Sequence, residues 1–552
     1  MSLFLLQSLP SRIGHALRAK RKVGLYLRPV ALLALLAGAL PTLAQGYFSG
    51  DLQMETQFYI RDTLIGASNT EHYDVLKNGG DAWLSMNYLN PSLDLSVGVR
   101  FDAFYNSNLH FPGTAFTGIG IGAFYIQKGV DNLDITAGYI YDQFGSGLTL
   151  RAYEERALGI DKAILGARLR YDFSDSWSLK GIVGKQKNRF ELFAPIIMGL
   201  ELTGNIAVGE STYLNPGVSV VNRSMDKENL DLVRANLAPT IAPGDTVLPL
   251  SNVYTASIYN SLDIKDFSWY VEAAAKTNEY EDGDGQPWDS WGSIFLTSLT
   301  YSRPGFGITG QFRRVDNFNL RTSPNEQLLL GIFNFLPSLT RQNSLRLPAR
   351  YNGVPQDLGE MGAQIDLIYA PKKGYTITAN FADLRTLGGD KLFREYYADL
   401  EIRTHKKWKL IVGAQHVEYN QDFYENKPGA KEVSTITPFA EFLYKINRRK
   451  SIRMELQYMN VEGDFGSWMY GLVEFNIAPS WSVSVADMYN YAPTEKSPGQ
   501  IHYYTAFGSF TQKANRFYLA YSRQVEGIVC TGGVCRFEPA FNGVKFGVTS
   551  SF

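Results

Sequence analysis

Apolar and polar residues alternate along most of the chain in segments of about ten residues. In residues 93–103, LDLSVGVRFDA, Val97 belongs to an apolar set and Arg100 to the intervening polar set. The same alternation recurs at 52–61 and at 451–458. This period of two predicts β-strands with one apolar face and one polar face.

The connections between these segments alternate in length. Residues 90–92 and 129–132 are short turns, whereas 106–118 and 142–162 are long loops. Short turns at one end and longer loops at the other are typical of an outer-membrane barrel. A soluble β-sandwich also alternates apolar and polar residues, but it has no reason to keep this order of connections.

The strand count follows from the same pattern. About 22 segments are clear. A weaker pair lies at 196–206 and 216–223, and including both leaves the long loops at the same end of the barrel. The sequence therefore predicts an all-β fold, a transmembrane antiparallel β-barrel of about 24 strands within a range of about 20 to 26.

The N-terminal region has the composition of an export signal. Its first 28 residues carry six basic side chains and no acidic one, and an apolar run from Val30 to Leu40 is followed by Pro41-Thr42-Leu43-Ala44. A membrane anchor would need about 20 apolar residues. We predict a secretory signal peptide over 1–44 and a single outer-membrane barrel over 45–552.

The charge balance narrows the possible partners. The predicted leader contains six of the 53 Lys and Arg residues and none of the 54 acidic residues, so 45–552 carries a net charge of −7. An acidic chain without a basic tract is a poor match for nucleic acid. We therefore expect no nucleic-acid partner.

The last ten residues, GVKFGVTSSF, form an alternating segment that ends on an aromatic residue. This segment resembles the final strand of Gram-negative outer-membrane barrels. The resemblance implies an integral protein among outer-membrane lipids and a signal read by the barrel assembly machinery, carried by Val544, Phe546, Val548 and Phe552.

Three further stretches carry a family resemblance: GYIYDQFGSGLTLRAYEERALGIDKAILGARLRY, LPSLTRQNSLRL and GEMGAQIDLIY. They resemble an uncharacterised family of porin-like Bacteroidota outer-membrane barrels, over most of the predicted mature chain. The resemblance implies a barrel in the outer membrane, and it brings no catalytic residues with it.

The third long loop, 142–162, concentrates unusual chemistry. Gly145-Ser146-Gly147 allows a tight bend. We expect the loop to fold into a polar lumen, where its charges meet wall charges on the next strand. The candidate residues are Arg151, Glu154, Glu155 and Arg156 in the loop, and Arg168 and Arg170 facing inward on the strand.

Three roles for this loop can be compared. Adjacent residues in extended chain point to opposite sides, so Glu154 and Glu155 would not converge on one substrate as general acid and base. A pore constriction and a salt-bridged plug or brace both remain open.

Other enzymatic or metal chemistry finds little support. His416 and Glu418 share a strand face, but that face is expected to look outward. The acidic stretch 279–289 lacks the spacing and final glutamate of a calcium loop. We expect no enzymatic activity, no metal site and no cofactor.

Cys530 and Cys535 are the only cysteines, in VCTGGVC. Exported proteins mature in an oxidising compartment, and two cysteines alone are too few for a structural zinc site. We predict a disulfide between them.

Two functions fit these patterns. One is a passive, porin-like channel for small polar solutes, with a lumen wall of mixed charge and weak ion selectivity. The other is a non-conducting barrel that serves outer-membrane assembly, secretion or adhesion through protein partners. Long loops at 224–252 and 316–360, with apolar patches, favour the second.

Overall fold

The protein is a closed antiparallel β-barrel. The computed structural model describes residues 46–240, 248–281, 291–326, 329–357, 359–497, 499–531 and 534–552, and the predicted signal peptide lies outside them. Within these ranges, 24 long strands pair with their sequence neighbours, and the last strand pairs with the first. The predicted strand number is confirmed, including the weaker pair.

The strands are numbered in chain order: β1 Tyr47–Tyr59, β2 Asn78–Asn90, β3 Leu95–Ser107, β4 Phe116–Val130, β5 Leu133–Ile140, β6 Ile164–Ser174, β7 Trp177–Asn188, β8 Glu191–Gly204 continued by Ile206–Gly209, β9 Thr212–Ser224, β10 Asn252–Ile264, β11 Phe267–Lys276, β12 Gly292–Arg303, β13 Phe306–Asp316, β14 Gly359–Lys372, β15 Tyr375–Arg385, β16 Lys391–His405, β17 Trp408–Tyr419, β18 Val433–Lys445, β19 Lys450–Glu462, β20 Gly466–Ile477, β21 Trp481–Pro493, β22 His502–Gln512, β23 Asn515–Gln524 and β24 Phe541–Ser551.

Helices and short strands occur only in the connections of the described chain. The α-helices are Lys227–Leu237 and Gln421–Tyr424, the 3-10 turns are Pro91–Leu93, Arg156–Leu158 and Ala238–Thr240, and His72–Leu76 is a single π turn. The short paired strands are Asp142–Gln143 with Arg151–Ala152, Glu154–Glu155 with Ile160–Asp161, Leu248–Pro249 with Tyr280–Glu281, and Gly527–Thr531 with Val534–Glu538. In the described ranges, no helix is both long and apolar enough to cross a membrane.

The outward face of the barrel is apolar. Ile119 and Leu456 are 83% and 69% exposed on it, with many other large aliphatic side chains. Water would make so wide an apolar belt costly, whereas lipid would not. Near the short-turn end, the ring centre of Tyr301 lies 6.1 Å from that of Phe267 and 6.1 Å from that of Phe306. Such rows of aromatic rings occur in the girdles of membrane barrels.

The alternation of connection lengths is less strict than predicted. At the long-loop end, β7 and β8 are joined by Arg189 and Phe190 alone, and β19 and β20 by residues 463–465. Arg189 adopts a left-handed backbone with φ of 60°, which closes the tight turn. The expectation failed here because a two-residue turn leaves no polar gap in the sequence pattern.

The two cysteines lie in the last long loop. Cys530 and Cys535 are opposite each other in the hairpin Gly527–Thr531 with Val534–Glu538. Their side chains lie outside the described part of the structure. The disulfide stays a prediction.

The seam between β1 and β24 closes the sheet. Val544, Phe546 and Val548 lie opposite Phe58, Thr56 and Met54 of β1, on the outward face. Phe552 exchanges backbone hydrogen bonds of 2.8 and 3.0 Å with Gly50. A Cβ atom on Gly50 would lie 2.5 Å from the Phe552 ring, so the glycine leaves room for that ring.

We predict that deletion of Phe552 lowers the amount of closed barrel several-fold, because the deletion removes two seam hydrogen bonds and the terminal apolar ring together. The measurement is the fraction of protein that runs as a heat-modifiable folded band. Phe552→Tyr, which keeps the backbone and the ring, is the control. Undiminished folded band in the deletion variant would contradict the prediction.

Candidate functional site

The connection between β5 and β6, residues 141–163, enters the lumen; we call it loop 3. Its first half is a hairpin in which Asp142–Gln143 pairs with Arg151–Ala152. The tip turns on Gly145 and Gly147, which have φ of 51° and 98°. These left-handed conformations cost glycine little, so the hairpin can be narrow enough to enter the barrel.

Two wall carboxylates hold the tip. The backbone N–H of Gly145 donates to Glu201 Oε1 of β8 at 2.8 Å, and that of Ser146 donates to Glu272 Oε2 of β11 at 3.0 Å. Glu272 is the sixth of the ten residues of β11, so the tip reaches about the middle of the wall. Tyr259 and Tyr270 also donate to these carboxylates, at 2.5 and 2.7 Å.

Apolar side chains anchor the rest of the hairpin. Phe144, Leu148 and Leu150 are fully buried. They belong to the first apolar cluster, which also contains Ala152, Ile164, Ile182, Ile197, Val221, Ala274, Ile294, Leu296, Val315, Phe318, Leu320 and Phe333. The wall members come from β6 to β13, so this cluster fills one half of the lumen at the long-loop end.

The connection between β13 and β14, residues 317–358, is loop 7. It is hydrogen-bonded to loop 3. Arg151 N donates to Phe333 O at 2.7 Å, and Phe335 N donates to Gly147 O at 2.9 Å. Both contacts are backbone hydrogen bonds, so they fix the relative position of the loops whatever the side chains do.

The later part of loop 7 packs on the opposite half of the wall. Leu339, Leu347 and Tyr351 lie in the second apolar cluster with wall residues such as Leu384 of β15 and Trp468 of β20. Loop 7 thus joins the two halves of the lumen, and the long-loop end is occupied by protein.

Arg100 of β3 organises the second half of loop 3. Its guanidinium forms a two-point pair with Asp102, at 2.7 and 2.9 Å. It also contacts Glu154 at 2.6 Å and Asp161 at 2.7 Å, both from loop 3. The Arg100 side chain is only 7% exposed. One buried cation therefore ties a wall strand to both strands of the small hairpin formed by Glu154–Glu155 and Ile160–Asp161.

Lys187 of β7 balances part of the remaining negative charge. Its ammonium lies 2.5 Å from Asp161 and 3.6 Å from Asp102. Burial alone would raise the pKa of Asp161, but Lys187 and Arg100 outweigh it and hold that pKa below its usual value. A lowered carboxyl pKa adds stability that is present above the unfolded pKa and lost as the pH falls through the folded one. Burial instead raises the pKa of Glu154, against Arg100 and Arg156.

The structure brings some of the sequence-predicted residues together. Arg156 contacts Glu154 at 3.1 Å and Asp51 of β1 at 3.5 Å. Arg168 pairs with Asp142 of loop 3 at 3.1 Å. Arg170 does not meet the loop, because it lies near the short-turn end, where it is 54% exposed and pairs with Asp172 at 3.0 Å.

Two loop residues differ from the expectation that they meet wall charges. The guanidinium of Arg151 lies 3.9 Å from the ring centre of Phe335 and 4.6 Å from that of Tyr153, so its partners are aromatic rings. Glu155 accepts a hydrogen bond from Ala157 N at 3.3 Å and caps the following 3-10 turn. The aromatic residues of loops 3 and 7 are the sequence feature from which stacking of Arg151 on rings could have been predicted.

Sequence reasoning missed several partners, among them Lys187, Asp161 and Glu201. No local motif marks them, and only the inward register of β7 or β8, or the fold of loop 3, gives each a role. The inward alternation of β8 was the signal that could have found Glu201.

Two histidines of the described chain lie beside carboxylates: the exposed His502, whose Nδ1 is 2.6 Å from Asp487 of β21, and His416 of β17. His416 Nε2 lies 3.9 Å from Glu418, and His416 Nδ1 lies 2.8 Å from Thr435 O. No group of three or more His, Cys, Asp or Glu side chains suited to a metal occurs among the described residues. Most of the acidic stretch 279–289 lies outside them.

A model of the family of unknown function DUF6029 matches residues 24–552. The chain belongs to this family. None of the curated proteins compared with it matches.

Several solved structures are similar to this DUF6029 chain. They include the siderophore receptor PirA from Pseudomonas aeruginosa (TM-score 0.40, 9% identity, 92% of this chain and 80% of that chain), the translocation pore of the P pilus usher PapC (0.43, 8%, 92% and 99%) and OccAB3 from Acinetobacter baumannii (0.33, 8%, 68% and 97%). At TM-scores of 0.33–0.43 and identities of 8–9%, these similarities carry no argument about a substrate or an activity.

We predict that Arg100→Met destabilises the attachment of loop 3 by about 3–5 kcal/mol, because it leaves Asp102, Glu154 and Asp161 buried without this cation. The measurements are the thermal transition of the folded band and the rate of proteolysis in loop 3. Arg170→Met removes an exposed pair on the same lumen face and is expected to cost under about 1 kcal/mol. Equal effects of the two variants would show that the buried network does not hold the loop.

Proposed function

We propose that this chain is an outer-membrane channel for small polar solutes whose pore is narrowed by loops 3 and 7. The apolar belt and the aromatic girdle support a membrane location. The outer membrane, a Bacteroidota source and engagement by the barrel assembly machinery rest on the sequence resemblance and on the C-terminal strand.

The docked tip of loop 3 is the observation that carries the proposal. Glu201 and Glu272 are carboxylates on a lumen wall, and both are used to hold a loop halfway along the pore. A barrel of this width would otherwise enclose a broad water-filled lumen. A loop fixed at this depth sets the size of solute that passes.

The charges on the lumen wall favour weak selectivity between positive and negative solutes. Wall charges are largely neutralised by neighbours: Lys409 lies 2.9 Å and Arg453 3.0 Å from Glu441, and Arg168 lies 2.8 Å from Asp134. Paired charges leave a weak net field along the pore, so we expect weak ion selectivity.

A second function, a non-conducting barrel that acts with outer-membrane protein partners in assembly, secretion or adhesion, is favoured by one observation. Loop 7 joins the two apolar clusters across the long-loop end. An apolar filling is suited to sealing a barrel and less suited to passing polar solutes. In this case the loops would serve as a plug or brace.

We predict that the purified protein forms steady, weakly selective openings in planar bilayers, and that replacing residues 144–150 by Gly-Gly raises the single-channel conductance. The replacement removes the three apolar anchors and the two tip hydrogen bonds. Glu272→Gln is expected to increase flickering, because a neutral amide holds the tip less strongly. Glu474→Gln, whose partners are Arg453 and Asn476, is the matched control.

The two functions give different recordings. Conductance that rises with removal of the tip supports the channel. Silence of both the native protein and the shortened variant, with the folded band intact, would contradict the channel and favour the non-conducting barrel.

A further inference from the structure

A cavity of about 880 Å³ lies at the long-loop end, beside the Arg100 network. Its walls come from β2, β3, β7 and β8, from loops 3 and 7, and from residues 109–112, 424–427, 526 and 536–537. This volume falls within the range of pockets that hold small organic ligands.

Most of the cavity wall is apolar and held in place. Phe104, Leu109, Phe111, Leu158 and Leu330 are among the lining residues. A guanidinium at one side, that of Arg536, donates to the carbonyl oxygens of Leu109 and Leu158, the latter at 2.9 Å. This arginine ties three connections together, so the cavity is a built site and not a gap between independent loops.

Lys162 of loop 3 lines this cavity and is 93% buried, with 7% of its surface exposed. Its ammonium lies 5.1 Å from the ring centre of Tyr153. Among the described residues of the chain, that ammonium has no hydrogen bond and no ion pair. Buried lysines without a partner are rare because the charge loses its water.

The groups facing Lys162 do not neutralise it. Arg151 of loop 3 and Arg321 of loop 7 are both cationic. Tyr153 remains neutral because burial raises its pKa to about 12. The nearby Asp161 is already engaged by Lys187 and Arg100.

Besides Asp161, the carboxylates that line the cavity are Asp102, Glu154, Glu425 and Glu526, and none of them is among the groups that shift the pKa of Lys162. Glu154 and Asp102 are paired with Arg100. Burial lowers the pKa of His110 to about 4, so this ring is neutral near pH 7. Arg189 stacks on Phe116, 4.5 Å from the ring centre.

We propose that the cavity binds an amphipathic organic anion whose carboxylate pairs with the ammonium of Lys162 while its apolar body packs against Phe104, Leu109 and Phe111. An anion supplies the missing counter-charge, and the apolar wall supplies burial for the rest of the molecule. This site goes beyond the channel proposal, since binding does not require conduction.

The site predicts a link between binding and protons. Burial, together with Arg321 and Arg151, lowers the pKa of Lys162 to about 7. A bound carboxylate favours the charged ammonium and raises that pKa, so binding near pH 7.5 takes up a proton. Affinity is then highest below pH 7 and falls by up to about tenfold per pH unit above it, until the pH passes the pKa of the complex.

The test uses 1-naphthoate as the probe and neutral 1-naphthamide as its isostere, with the full-length protein in a non-ionic detergent. Calorimetry in buffers of different ionisation enthalpy gives both the affinity and the number of protons taken up. The variants are Lys162→Met and Lys162→Arg. Lys427→Met is the matched control, because Lys427 also lines the cavity but is paired with Glu425 at 2.6 Å.

We expect naphthoate to bind about tenfold more tightly than naphthamide, and Lys162→Met to lose that difference while Lys427→Met keeps it. Lys162→Arg should retain binding without proton uptake, since arginine stays charged. The folded band shows that each variant is intact. No naphthoate binding, equal binding of acid and amide, or undiminished binding by Lys162→Met would overturn the proposal and leave the channel proposal untouched.

Discussion

Pairing between β1 and β24 is the interaction on which the rest of the structure depends. Inside a membrane no water satisfies the backbone groups of an open sheet edge, so every strand needs two neighbours. The register from Asp51 opposite Ser551 to Tyr59 opposite Gly543, extended by the bonds between Gly50 and Phe552, supplies the last of these pairings. Closure also decides that alternate side chains face outward or into the lumen.

Closure over 24 strands leaves a wide lumen, and the loops occupy part of it. A barrel this wide cannot be filled by the side chains of its own wall. Loop 3 enters on a glycine hinge and docks on Glu201 and Glu272, and loop 7 joins the two apolar clusters. The buried guanidinium of Arg100 is tolerated because three carboxylates surround it. The wall residues Glu201, Glu272 and Arg100 therefore serve as attachment points for loop 3.

The sequence predicts the barrel well because the strand signal is local. Alternation along 93–103 assigns Arg100 to the lumen. The weaker alternation around Glu201 still separates inward from outward residues correctly. The partners within the lumen are not local: Lys187 and Asp161 meet only after the strand register and the loop path are fixed. The contact of Arg151 with Phe335 depends on loop 7, which is distant in sequence, and no period in the sequence encodes that contact.

The placement of loop 3 in the lumen is the central claim, and solvent access at Thr149 tests it most directly. Thr149 is fully buried, with Oγ1 2.9 Å from Ser219 Oγ of β9. In a Cys530→Ala, Cys535→Ala background, Thr149→Cys and the exposed Asp390→Cys would be labelled with a water-soluble maleimide in the folded protein. We expect Cys at 149 to react at least about a hundredfold more slowly than Cys at 390, and as fast after unfolding. Equal rates in the folded protein would contradict the placement of loop 3 in the lumen.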